Sequence, residues 1–383
     1  MFGKIIFWKK LIENYKTVKL LKLSILDRYI LKKYISTFLF AMLILSIIAV
    51  VFDISERIEK FLNAKVTVWE IVTKYYLNFI PWINSLLFPI YALITVIFFT
   101  SRMASQTEII PMFSSGISYK RFLRPYIIAG LLFTFLHLLG NHFIVPRGNK
   151  IFREFENKYI RASSYKAKDK NVHFFVGEGV KVYIAYFQTA DSLGRDFQIE
   201  QMKDSKIRSL LSAKTIRWKS NPHIWTIEDY EIRTFTDSTE SLQVYKGQKL
   251  DTSINLNVSD FIYVTNQKDM MTTPQLITFI NRESERGSGI TRLFEVEKHR
   301  RFADPFTTLI LTIIGASIAS RKVRGGLGLH LAVAMILGVV FIFLSKLSLT
   351  FANNEIMPPW IAIWIPNIIF TAVSYYLFRK AQK

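Results

Sequence analysis

The sequence predicts a membrane α-helical protein: six transmembrane helices, three on each side of an inserted all-β extracytoplasmic domain. Three observations carry this prediction. Half of the 383 residues are hydrophobic, yet 50 Lys and Arg against 29 Asp and Glu leave a net charge of +21; a basic chain this apolar reads first as a membrane protein. Its longest apolar runs fall into two groups, one towards each end of the chain. The stretch between those groups is polar and alternates with period two, the pattern of half-buried strands.

Taken in order, residues 1–24 mix Phe2, Ile5, Ile6, Phe7 and Trp8 with lysines, and the apolar run is too short for a signal-peptide core. They read as a basic amphipathic helix on the inner membrane surface, or as a disordered basic tail. Residues 35–52 carry no charge and are long enough to span a bilayer. Residues 77–100 also lack charge but hold Pro81 and Pro89, whose freed carbonyls need neighbouring helices or water. Residues 125–145 form a third span, with Gly130, His137 and Gly140 inside it. Three more follow at 306–319, 327–349 and 360–378. The first of these is short and starts inside a helix that begins near residue 291.

Lys and Arg near the span ends set the orientation. Nineteen basic residues, against only Glu13, Asp27 and Glu108, lie before the first span, between spans two and three, between spans four and five, and in the tail. Both termini are thereby expected in the cytoplasm and the middle segment outside. Most of the charge excess then faces an anionic inner leaflet, and nucleic acid is not implied.

The middle segment, residues 146–290, offers strands at 172–176, 180–187, 196–202, 206–218, 223–235, 241–245 and 251–256. Turn residues separate them, including Gly177-Glu-Gly179 and Lys246-Gly247. In the fifth candidate, strict alternation puts Trp225 and Ile227 on one face and Tyr230 on the other. Such strands suggest a sandwich, a jelly roll or an open barrel. Thr272-Thr-Pro-Gln275 then opens a helix with a threonine cap and a capping-box Gln, ending near Gly287-Ser-Gly289. Residues 25–145 and 291–383 are the two membrane units.

Catalytic signatures are sparse. The absence of cysteine excludes disulfides, thiolate catalysis and sulfur-ligated metals. No P-loop occurs, so the chain is not expected to bind ATP itself, and no nucleophile elbow is present. The six histidines make no i, i+4 pair and read as packing residues. Gly325-Gly-Leu-Gly328 reads as a tight turn, and Asp304 as the partner of a local ion pair with Arg300 or Arg301. No metal, cofactor or catalytic residue is assigned. An intramembrane lipid-modifying enzyme would need a constellation that is missing.

Two places remain informative. Between spans two and three, Ile109, Met112 and Phe113 have helical spacing, Ser105 or Thr107 can cap and Gly116 can end a short amphipathic helix over about residues 105–115. Such a helix lies on the membrane or docks into a partner. Lys346, late in the fifth span, either snorkels to the outer interface or meets an anionic headgroup at a lateral opening.

Several blocks resemble one family. They are Leu26-Asp-Arg-Tyr-Ile30; Phe88-Pro89 followed by Ser105-Gln-Thr-Glu-Ile-Ile110 and Ser115-Gly116; Val145-Pro146; and Pro358-Pro-Trp-Ile-Ala-Ile-Trp-Ile-Pro366. In order and spacing they are similar to the LptF/LptG (YjgP/YjgQ) permeases, from about residue 25 to the C-terminus. The resemblance implies lipopolysaccharide export from the bacterial inner membrane through an ABC transporter. In it, two paralogous permeases pair, an LptB-type ATPase dimer binds ATP and Mg, and an LptC-type protein receives the lipid from a jelly-roll-like domain. It makes the short helix the coupling helix, with Glu108, Ile109, Met112, Phe113 and Gly116 at the ATPase contact. It also makes Arg57, Lys60 and Lys346 candidate headgroup contacts, although Asp53 and Glu56 beside the first two depart from the family's basic pattern. A non-transporting scaffold or sensor with an outer β domain is the alternative.

Overall fold

The computed structural model describes residues 23–160, 170–188, 191–203, 206–220, 223–236, 239–261, 267–286, 291–321 and 326–382. The amphipathic reading of the N-terminal extension falls almost wholly outside them, as does Gly287-Ser-Gly289.

Among the described residues six helices are long and apolar enough to cross a membrane: Ile25–Asn63, Val68–Ser105, Tyr119–Ile160, Thr291–Ala319, Leu327–Asn353 and Pro359–Ala381. The first opens on a capping box in which Asp27 accepts from the Ser24 N–H at 3.0 Å and returns its own N–H to Ser24 Oγ at 3.3 Å. Its 39 residues rise about 58 Å at 1.5 Å each. That is well beyond a hydrocarbon core of roughly 30 Å, so both ends project and carry the charged residues. The third span also overshoots its predicted limit, continuing as one helical rod through Ile160. A π-helical turn at Gly140–Ile144 lets Val145–Phe155 begin afresh, with Pro146 in a first turn where a missing N–H is tolerated. Gly326 and Gly328 lie in the first turn of the fifth-span helix, Gly326–Asn353, and not in a connecting turn.

The fourth span occupies the middle of the bundle. One apolar cluster gathers residues of spans one to three around Ala316; another joins Leu93 and Ile97 to Leu311, Ile314, Ala334 and Phe370. Small residues permit the close approach: a Cβ on Gly315 would stand 3.2 Å from Ile97 and Val96, and one on Gly130 would stand 2.9 Å from Leu309. Buried hydroxyls add cross-links, Tyr34 with Thr312 at 2.8 Å and Thr307 donating to Asn367 at 2.7 Å.

Among its described residues the insert holds six antiparallel strands, β1 (Lys170–Gly177), β2 (Val180–Gln188), β3 (Leu193–Lys203), β4 (Lys206–Ser220), β5 (Ile224–Phe235) and β6 (Glu240–Ser253), in sequential order in one sheet. The Lys246-Gly247 turn expected from sequence is instead a bulge inside β6. Gly247 has φ +69°, its N–H donates to Asp229 Oδ1 at 2.6 Å, and the β5–β6 register slips between Glu228 and Tyr230. The two last strand candidates are therefore one strand.

A crease crosses the sheet at this level. Asp196 and Asp229 have φ of +52° and +51°, and in four neighbouring strands the inward residues step by three instead of two: Ile184 to Phe187, Gly194 to Phe197, Ala213 to Ile216, and Ile227 to Tyr230. Tyr230 consequently shares the buried face with Trp225 and Ile227, against strict alternation. On one side of the crease Val172, Ile184, Phe197, Ala213, Tyr230 and Tyr245 form a continuous cross-strand row. Ile254 and Leu256 join the same core, and Trp225 Nε1 donates to the Leu256 carbonyl at 2.9 Å.

The chain returns through Thr273–Glu285, capped as predicted, with Gln275 Oε1 accepting the Thr272 N–H at 3.0 Å. Arg301 donates to the Met271 and Lys268 carbonyls at 2.7 and 2.9 Å. His142 Nδ1 meets Thr273 Oγ1 at 2.7 Å. The exit from the insert is thus fastened to spans three and four.

Candidate functional site

The short helix between spans two and three is Ile109–Ser114, shorter than the predicted 105–115 because the second-span helix runs on through Ser105. A turn at Gln106 and Thr107 (φ +57°) precedes it, and Gly116 (φ +85°) follows it. Ile109 is buried in the core of the first three spans, with Met112 and Phe113 packed against that core. Phe113 sits 5.3 Å from Phe122 and 6.1 Å from Tyr119, centroid to centroid. The apolar stripe chosen by periodicity is therefore the inward face. Ile110, Pro111 and Ser114 face out, and Ile110 is 51% exposed. Periodicity overlooked them because a helix of under two turns has two faces and the richer one dominates the pattern.

Glu108 stands at the start of this helix, linked to the first span. Tyr29 Oη donates to it at 2.7 Å and Lys33 Nζ lies 3.1 Å from both carboxylate oxygens. Partial burial pushes the carboxyl upward, but the hydrogen bonds from Tyr29 and Lys33 and the Lys33 charge outweigh this and hold it below the usual range. Beyond the helix, Arg121 makes a two-pronged ion pair with Asp27 at 2.7 and 2.8 Å and also reaches Ser24 Oγ at 2.7 Å. Asp27 is fully buried. The Leu26-Asp-Arg-Tyr-Ile30 block thus owes its acid and its tyrosine to two ties with the segment after span two, neither evident from spacing.

At the other end of the first span Arg57 is enclosed. It pairs with Asp53 and with Glu156 of the third-span rod, both at 2.9 Å, and Arg153 binds the second Glu156 oxygen at 2.5 Å. Tyr75 and Tyr76 donate to Asp53 at 3.2 Å each. Asp53, whose sign had looked out of place, completes this latch. Lys60, one turn further, is exposed.

Lys346 is exposed and borders a cavity of about 140 Å³ between spans two, four, five and six. Arg300, Asp304, Ser345 and Asn367 line it too, with Leu86, Pro89 and Phe341 as apolar wall. Arg300 lies 3.0 Å from Glu297 and 3.9 Å from Asp304, so the expected local ion pair is with Arg300; Arg301 turns to Glu297 instead, at 3.0 Å. A second, more open groove of about 470 Å³ runs between spans one and two, lined by Met42, Leu43, Ile47, Val50, Val51 and Ile80. At its floor Ser46 donates to Asn84 at 2.8 Å. Chemically, these sites suit an amphiphile. They present apolar walls and grooves within the span region, and cations where the spans end.

Comparison with known proteins agrees. The model of the lipopolysaccharide export system permease LptF/LptG family matches residues 28–380. The chain is similar to the lipopolysaccharide export system permease protein LptG of Escherichia coli strain K12, 17% identical over 360 residues that cover 93% of this chain and 98% of that protein. LptG of Escherichia coli O6:H1 gives the same figures. With six spans, a β insert between the third and fourth, and a family match along nearly its whole length, this chain belongs to the LptF/LptG family of lipopolysaccharide export permeases.

Proposed function

We propose that the chain is the permease subunit of an ATP-driven ABC transporter that extracts lipopolysaccharide from the inner membrane and hands it to a periplasmic bridge toward the outer membrane. The side where the first span begins faces the cytoplasm, as its Lys and Arg excess favours, and the sheet stands in the periplasm. The observation that carries this reading is the short helix at the end of the bundle opposite the sheet, packed inward through Ile109, Met112 and Phe113 and offering Ile110, Pro111 and Ser114 outward. An LptB-type ATPase dimer, holding ATP and Mg, docks on that outward face. A paralogous LptF or LptG permease covers the bare side of the first and fifth spans, and an LptC-type protein receives lipid from the β domain. Closing the ATPase dimer then squeezes the lipid upward, with this chain contributing binding surface and coupling but no bond chemistry. Lys60 and Lys346 meet the anionic headgroup, while Arg57 acts through the latch with Asp53 and Glu156.

The test is photocrosslinking in the complex assembled with the ATPase and the paralogue. Photoreactive residues at Lys346, at Leu43 and at inward sheet positions such as Phe197 should each capture lipopolysaccharide, those on the sheet only when ATP is hydrolysed. Sheet crosslinks that ignore ATP, or none at all, would defeat the export reading in favour of a scaffold or sensor.

A further inference from the structure

Among the described residues, the apolar interior of the β insert draws its buried members from two sources. One is the inner face of β1 to β5; the other is the segment after β6, where Ile254 is buried and Leu256 wholly so. That segment, residues 254–258, is a strap and not a strand. Its Ile254 N–H bonds the His223 carbonyl at 3.0 Å, beside the start of β5, and its Leu256 N–H turns back to the Ile254 carbonyl at 2.6 Å. The Leu256 carbonyl is held by a side chain, Trp225 Nε1 at 2.9 Å. The ladder from β1 to β6 closes without the strap, which can therefore leave without breaking a bond between strands.

On its other side the strap meets the helix Thr273–Glu285. Arg286, the buried C-cap of that helix, donates to the Asn255 carbonyl and to Asn255 Oδ1 at 3.2 Å. It also reaches Asp260 at 3.0 Å and Glu283 at 2.9 Å, while Arg282 takes the other Asp260 oxygen at 2.9 Å. Asp260 in turn accepts the Asn257 N–H at 3.0 Å. The helix's own apolar face, Leu276 and Ile280, packs against Phe294 of the fourth-span helix. The strap is thus apolar toward the sheet and tied by charge toward a helix that belongs to the bundle.

From this arrangement we infer that residues 254–258 are a self-supplied occupant of an acyl-chain site, and that Arg286 is the positioning residue that keeps the strap shut. The side chains of Ile254 and Leu256 fill the site beside Trp225, and a lipid acyl chain takes their place when the strap swings out. Aliphatic side chains and an acyl chain offer the same surface, so the exchange never leaves the inner face to water. The inference deepens the proposed function, and rests on it only for the identity of the lipid. Because Arg286 sits on a helix packed against span four, the shape of the bundle biases how firmly the strap is held.

The test uses the full chain in its complex, in nanodiscs, with a diazirine-bearing palmitate as probe. The chain lacks cysteine, so spin labels placed through Asn257→Cys on the strap and Lys214→Cys on exposed β4 report without background. Palmitate should crosslink near Trp225 and lengthen the distance between the labels. Arg286→Gln and Leu256→Ser should each raise capture about tenfold, the scale of one lost charged hydrogen bond acting on the open fraction. Amides of β2 to β5 should stay protected from hydrogen exchange in both variants. The inference fails if neither variant captures more probe than the wild type, or if capture leaves the label distance unchanged. It fails equally if either variant loses protection of the sheet, since the strap is then a permanent part of the core. A strap that opens to palmitate in a complex that carries no lipopolysaccharide to the sheet would fault the export reading and leave the strap standing.

Discussion

The first and fourth spans are both long helices with apolar windows, yet they are held in opposite ways. In the fourth, 61% of the window is buried; in the first, 11%. The fourth presents Thr308, Thr312, Gly315 and Ala316 to its neighbours, small enough for close backbone approach and hydroxyl cross-links. The first leaves Leu39, Phe40, Leu43, Ile47, Ile48 and Val51 uncovered and is fixed at its ends, by Asp27 and Lys33 on one side and by Asp53 and Arg57 on the other. Hydropathy, higher in the first window than in the fourth, thus gives no hint of two mechanical roles, a central post and a rod pinned at its tips. Under the proposed function, the rod with the bare side is the element that would meet lipid.

Breaking a tip should cost most. Arg121→Ala leaves the fully buried Asp27 carboxylate without its cation, and an uncompensated buried charge costs about 3 kcal/mol. Thermal unfolding in detergent should show this, and a wild-type transition would mean that the first span is held elsewhere. Next comes the post. Gly315→Leu forces side chain into space already taken by Ile97 and Val96, an overpacking cost of about 2 kcal/mol, read in the same assay; unchanged stability would remove the fourth span from the centre.

The Glu108 tie is weaker and depends on pH. Its carboxyl is held below the ordinary glutamate value of 4.5. Folding therefore gains stability from it above that value and loses it as pH falls through the lowered pKa. Because the pair is partly exposed, the difference between wild type and Glu108→Gln should be below about 1 kcal/mol at pH 7 and should shrink as acid protonates the carboxyl; a difference that does not change with pH would contradict the ion pair. Smallest of all, Ile47→Leu on the uncovered face should move stability by less than about 0.5 kcal/mol. A larger loss in the isolated chain would show that this face is packed.

Much of the scaffold was legible because its signals are local. Uncharged runs located the spans, Thr272 announced a helix start, and period two revealed the strands. The crease escaped because alternation assumes an unbroken pleat, and one residue of positive φ, Asp229, turned Tyr230 to the core. A step of three between bulky residues, as from Ile184 to Phe187 and from Ile227 to Tyr230, is the signal that could have found it. At the candidate site the sequence picked out the short helix and its apolar residues but reversed their use, since the stripe faces inward. Glu108 and Arg57, which looked available to an ATPase and a lipid, are occupied by Lys33, Tyr29, Asp53 and Glu156. Those partners lie as far as 99 positions away, beyond the reach of any spacing argument.

Sequence by itself therefore determined what each segment is: six apolar helices, one strand-rich insert, and the capped helix that leads out of it. These follow from properties of neighbouring residues, namely transfer free energy, backbone preference and capping. Tertiary structure alone decided which span became the post and which the rod, which charges remained free and where the sheet creased. Each of those depends on what distant residues offer as partners, and a buried charge or a close-packed glycine takes its meaning only from the group brought against it.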